Sequence, residues 1–151
     1  MSRSKDIGTR AETAVVRYLK AYGWPSAERR ALTGAQDQGD ITGTPGVCWE
    51  VKARKKPISD LDVAGWMVET ETERRNAGAV VGVLVVRRAG VGEGHAGRWW
   101  AYLSAGTLTG LAVEGGFVPY ARLGFPVRML LADAVAVLRA AGYGTPDGGE
   151  S

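Results

Sequence analysis

In the stretch GDITGTPGVCWEVKARKK, residues 39–56, nine residues separate Asp40 from Glu50, and Lys52 follows two positions later. Two carboxylates with a nearby main-chain carbonyl form a hard-oxygen site suited to Mg²⁺, which takes one or two carboxylates and keeps several waters. Mn²⁺ is served by the same donors. Glu12, further upstream, offers a third acid. A divalent ion held this way supplies an attacking hydroxide and polarises a non-bridging phosphoryl oxygen. Lys52 beside it would orient or deprotonate the water and stabilise charge in the transition state. The metal also lets acids face a polyanion that they would otherwise repel. The chemistry these residue types suit is phosphodiester hydrolysis.

The elements that must position them are legible in outline. Ala11, Val15, Tyr18, Leu19 and Tyr22 recur on one face of a helix that Gly23 and Pro25 stop, and Glu12 lies at the border of that stripe. PSAERRAL reads as a first strand and GDIT as a second, turned by GTPG into a third, VCWEVKA. In the third strand Val47, Trp49, Val51 and Ala53 alternate with Cys48, Glu50, Lys52 and Arg54. One face is expected to pack and the other to present chemistry. SDLD is a capping box opening a helix over about 60–76, with Leu61, Ala64, Met67 and Val68 as its apolar stripe. AVVGVLVVRR predicts a central strand buried on both faces, and RWWAYLS a partner for it across a glycine-rich connection. A last helix is expected over about 127–141, begun by Pro126 and closed by Gly142. The expected order is α-β-β-β-α-β-β-α, a single α/β domain over 1–141 with a mixed central sheet, and residues 142–151 have the composition of a flexible tail.

Bulk properties agree with one globular domain: 151 residues, 45% hydrophobic and 23% charged. The net charge is only +3, but residues 1–56 hold 11 Lys/Arg against 6 Asp/Glu, so the basic excess accompanies the acidic motif. Cys48 is the single cysteine, which excludes an internal disulfide and a cysteine zinc site and suits a reducing cytoplasm. It reads as a small filler. No apolar run approaches a membrane span, and no membrane partner is expected. His95 sits among glycines, far from any serine or cysteine apparatus, and GVGEGHAG lacks the lysine of a phosphate-binding loop.

Asp40, the nine-residue gap and Glu50-Val51-Lys52 resemble the core of the PD-(D/E)xK nuclease superfamily, with Gln38-Gly39-Asp40 standing where that family often has Pro-Asp. Within it the chain looks most like the archaeal-type Holliday-junction resolvases, which also occur in phages. Their order of an early helix glutamate, an arginine, a Ser-Gly loop, the aspartate and ExK is matched by Glu12, Arg29 or Arg30, Thr33-Gly34, Asp40 and Glu50-Val51-Lys52. The resemblance covers about residues 5–104. It implies a restriction-endonuclease-like fold, Mg²⁺-dependent cleavage of branched DNA by paired nicks, and a twofold homodimer in a prokaryotic or phage-infected cell. Thr33 replaces the family's serine, and the region from about 105 has no counterpart in it.

On this reading Asp40, Glu50 and Glu12 hold metal, Lys52 handles the water, and Arg29, Arg30, Thr33, Arg54, Lys55 and Lys56 contact DNA. Two alternatives stay open: the same chemistry on a flap, single strand or duplex, and a nucleic-acid-binding module without catalysis.

Overall fold

A computed structural model describes residues 3–31, 37–112 and 123–145. Helix α1 runs Arg3–Tyr22 and buries Ile7, Ala11, Ala14, Val15 and Leu19, so the expected stripe is present at its centre. Tyr22 differs: it lies 53% exposed at the last position of the helix, stacked on Tyr18. Gly23 then turns the chain at a φ of 139°.

The predicted first two strands are each only a pair of residues. Strand β1 (Glu28–Arg29) pairs antiparallel with β2 (Ile41–Thr42) as a separate two-stranded ribbon. The third, β3 (Val47–Lys52), instead opens a four-stranded sheet ordered β3, β4, β5, β6. Strand β4 (Val81–Val86) lies parallel to β3, and β5 (Trp100–Ser104) antiparallel to β4. Parallel neighbours need a long crossover, which α2 (Asp60–Ala77) supplies. Its capping box is formed as predicted, with Ser59 Oγ accepting from the Asp62 N–H and the Asp62 carboxylate from the Ser59 N–H.

Two expectations are corrected here. The apolar stripe on α2 is misplaced, because Leu61 is 85% and Val68 69% exposed while Val63, Thr70 and Glu73 face inward. The buried face of this helix is partly polar, so the most apolar positions do not mark it. Residues Pro126–Leu130 are not the start of a helix but strand β6, pairing antiparallel with β5; α4 begins only at Leu131 and ends at Ala140. Proline is tolerated there as the first residue of an edge strand. A short helix, α3 (Ala105–Ala112), precedes β6, and a 3₁₀ turn over Glu93–Arg98 lies within the glycine-rich connection.

The sheet is a middle layer. On one side Trp49, Val51, Val83, Val85, Ala101 and Leu103 pack with residues of α1 and α4 into the main core. On the other, Leu84 and Val86 meet Val63 of α2, with Trp66, Met67, Trp100 and Tyr102 around them. The chain is a mixed α/β domain whose mixed sheet is flanked by helices. At the C-terminal side, Tyr143 packs against the core and the Thr145 N–H donates to Gly23 O at 2.6 Å. Among the described residues no helix is long and apolar enough to cross a membrane.

Candidate metal centre

Strand β3 carries the site, and both of its faces are covered. Cys48 and Glu50 point toward α2 rather than toward open solvent, leaving Glu50 only 5% exposed. The face expected to present chemistry is thus itself roofed by a helix.

Asp40 reaches β3 through the segment Asp37–Asp40. Its N–H donates to Trp49 O at 2.9 Å, and its Oδ2 accepts from the Val51 N–H at 2.7 Å. Gly39 makes this approach possible, since its φ is 93° and a Cβ there would stand 2.8 Å from Cys48 Sγ and 2.9 Å from Trp49 O. The segment is tied to α2 by Asn76 Nδ2, which donates to Asp37 O at 2.8 Å.

Four carboxyl groups meet here. Asp40 and Glu50 are within hydrogen-bonding reach, as are Glu50 and Glu73, and Glu73 and Asp37. Oxygens of Asp37, Glu50 and Glu73 all lie within 4.8 Å of one another. Burial raises Asp40 to about 8, helped by the hydrogen bond and charge of Glu50 and opposed by the Val51 N–H. Burial likewise raises Glu50 to about 8; its bond to Asp40 opposes this, while Glu73 adds to it. Glu73 rises to about 7, first through burial. Its Oε2 is buried without a hydrogen-bond partner among the described residues. An acid so placed is costly by itself and is satisfied by a cation or a proton.

Lys52 stands at the rim. Its Nζ pairs with Glu69 of α2 at 3.0 Å and lies 5.8 Å from the Trp66 ring. Burial alone would lower its pKa, but the Glu69 hydrogen bond and the charges of Glu50, Glu69 and Asp40 outweigh it, and the net shift is upward. Lys52 is a cation.

The other predicted residues divide. Glu12 is near enough to Asp40 to feel its charge, yet it stands outside the close cluster and accepts from Arg29 Nε at 3.0 Å. Burial and Asp40 together raise its pKa against the effect of Arg29. Arg30 donates through its backbone to Asp40 O and through Nη1 to Gln38 Oε1. Thr33 lies outside the described residues. Arg54 is ion-paired with Asp62 at the start of α2, while Lys55 and Lys56 are exposed on the following loop. Cys48 is buried, which pushes its thiol up to about 12, and it behaves as filler.

Sequence reasoning missed Asp37 and Glu73. Glu73 belongs to the polar run ETETERR, which suggests solvent, but it lies three residues after Thr70, which shares the face of Val63 seven residues earlier. The chain matches no protein-family model, no curated protein and no solved structure.

Proposed function

We propose that the chain is a divalent-metal-dependent DNA endonuclease of restriction-endonuclease-like fold, acting on branched DNA. The observation that carries this reading is the convergence of Asp40 and Glu50 beside Lys52, with buried Glu73, one of whose oxygens has no hydrogen-bond partner among the described residues, in the same cluster. The donors fit Mg²⁺ or Mn²⁺: all are hard carboxylate oxygens, with no imidazole or thiolate among the acids that meet.

Asp40 and Glu50 would hold the ion, with Glu73 and Asp37 as further acids and Glu12 acting on Asp40 through charge. The ion supplies Lewis-acid activation of the phosphoryl group and a nucleophile at neutral pH. Asp40 is fixed for this role by the Val51 N–H, which holds its Oδ2 in place. Lys52, charged and steadied by Glu69, donates to the attacking water or to a phosphate oxygen and stabilises developing negative charge. As a retained cation it does not take the proton. A twofold homodimer would place two such centres on a four-way junction for paired nicks.

A second reading of the substrate has its own observation. The cations beyond Lys52 line a groove with aromatic residues, which suits a flap or another substrate with an unpaired strand.

The test is cleavage of labelled four-way junction, flap, duplex and single strand, with Mg²⁺ or with EDTA. Metal-dependent, symmetric nicking of the junction is expected, and Glu50→Gln should lower the rate by about 100-fold or more. Preferential flap cutting would keep the centre and change the substrate. Absence of cleavage on every DNA, with metal present, would overturn the nuclease reading.

A further inference from the structure

On the α2 side of the sheet, a groove of about 790 Å³ opens between the loop after β3 and the loop after β4. The first loop contributes Arg54, Lys55 and Lys56, the second Arg87 and Arg88, and β6 contributes Arg128; Asp60 is the one carboxylate among the lining residues. Arg54 and Arg87 have acidic partners in Asp62 and Glu93. Lys55, Lys56, Arg88 and Arg128 form no ion pair among the described residues. Folding thus leaves four cations facing one concavity that a single carboxylate, Asp60, shares, with none of the four ion-paired among the described residues.

The lining also includes Trp100 and Tyr102 of β5, both half-buried. The guanidinium carbons of Arg88 and Arg128 lie 4.2 and 4.1 Å from the Trp100 ring centroid. Flat groups of this kind stack on nucleobases, through aromatic faces and guanidinium planes alike. Trp66 sits between the two sites, 5.8 Å from Lys52 Nζ and 5.3 Å from the Arg54 guanidinium. Cations therefore follow one another from the candidate metal centre into the groove.

We infer that this groove binds an unpaired strand of nucleic acid, with phosphates on Lys55 and Lys56 and bases stacked on the layer formed by Arg88, Trp100 and Arg128. Its role as the seat of a single-stranded arm leaving the cut site rests on the nuclease reading; strand binding itself does not. A duplex offers the groove only its phosphates, because its base faces are already stacked on each other. The outer faces of the Arg88–Trp100–Arg128 layer would then have no base to stack on. A single strand uses both the charge and the planes.

The test is fluorescence anisotropy with the full chain in EDTA, so that nothing is cut. The probes are a labelled oligothymidylate of about 15 nucleotides, a duplex of equal length, and an abasic strand with the same phosphates. Oligothymidylate should bind at least about 10-fold more tightly than either of the others. Arg88→Gln with Arg128→Gln should weaken oligothymidylate about 10-fold. Equal binding of the abasic strand, equal or tighter binding of duplex, or an unaffected double variant would each overturn the inference. The comparison of probes on the wild-type chain decides it even if the double variant fails to fold. Cleavage in Mg²⁺ is a separate readout: strand binding without cleavage sinks the nuclease reading and leaves the groove, whereas cleavage without strand binding does the reverse.

Discussion

At the scale of the residue, the informative fact is that half-buried Asp40 meets buried Glu50 and Glu73 and all three have raised pKa values, to about 8, 8 and 7. Between the ordinary carboxyl range and about pH 8, the folded chain holds protons that the unfolded chain has already released. Stability contributed by those protons is complete at low pH and falls as pH rises through that window. Without metal, the melting temperature should therefore decline between about pH 5 and about pH 9. Adding Mg²⁺ or Mn²⁺ should recover it most at the alkaline end, where carboxylates bind the ion without first losing protons. Calorimetry across pH, with and without metal, checks both statements; a flat profile would contradict them. Glu73→Gln separates the two roles of that side chain. Removing its charge should stabilise the metal-free chain at about pH 8 while reducing the gain from added metal.

At the scale of the element, function depends on how closely three backbone segments approach. Gly39→Ala would place a methyl against Cys48 Sγ and the Trp49 carbonyl in a left-handed conformation, at a cost of about 1–3 kcal/mol. It should also displace Asp40 from the Val51 N–H, so cleavage ought to fall by more than the lost stability explains. Denaturant melts paired with cleavage rates test this. Ser59→Ala removes the N-cap of α2 and should cost about 1 kcal/mol. Because α2 carries Glu69 and Glu73 but starts far from them, the cleavage rate of the folded protein should be unchanged. The capping box and the β3 alternation were legible because each is a local pattern. The face that α2 buries was not, because Glu73 is drawn inward by the cluster it joins rather than by its own hydropathy. Residues 126–130 were misread for a related reason: their partner, β5, supplies the hydrogen bonds that make them a strand.

At the scale of the whole molecule, the sheet divides two kinds of interior. The α1 and α4 side holds the apolar core, and the α2 side grades from a small apolar cluster at Leu84 and Val86 to buried acids at one end and a basic groove at the other. Charge is sorted along that second side, although the net charge of the chain is only +3. The basic excess noted in residues 1–56 is one part of this; Arg88 and Arg128 join it only through folding. The proposed twofold enzyme should sediment at about twice the chain mass of 16.0 kDa, and the junction should be cut on two strands within one bound lifetime. Analytical ultracentrifugation gives the first result and a supercoiled cruciform assay the second. A monomer releasing singly nicked junctions would remove the paired-nick mechanism while leaving the metal chemistry.

Sequence alone determined α1, the cap and approximate extent of α2, the buried central strand, and the nomination of Asp40, Glu50 and Lys52, because periodicity and spacing along a strand are properties of neighbouring residues. Tertiary structure decided that Asp37 and Glu73 join those acids, that Glu12 stands apart with Arg29, and that residues 126–130 extend the sheet. It also assembled the groove from loops after two strands and a residue of a third. These outcomes depend on contacts between segments dozens of residues apart, where burial and charge are set by whatever the fold brings alongside.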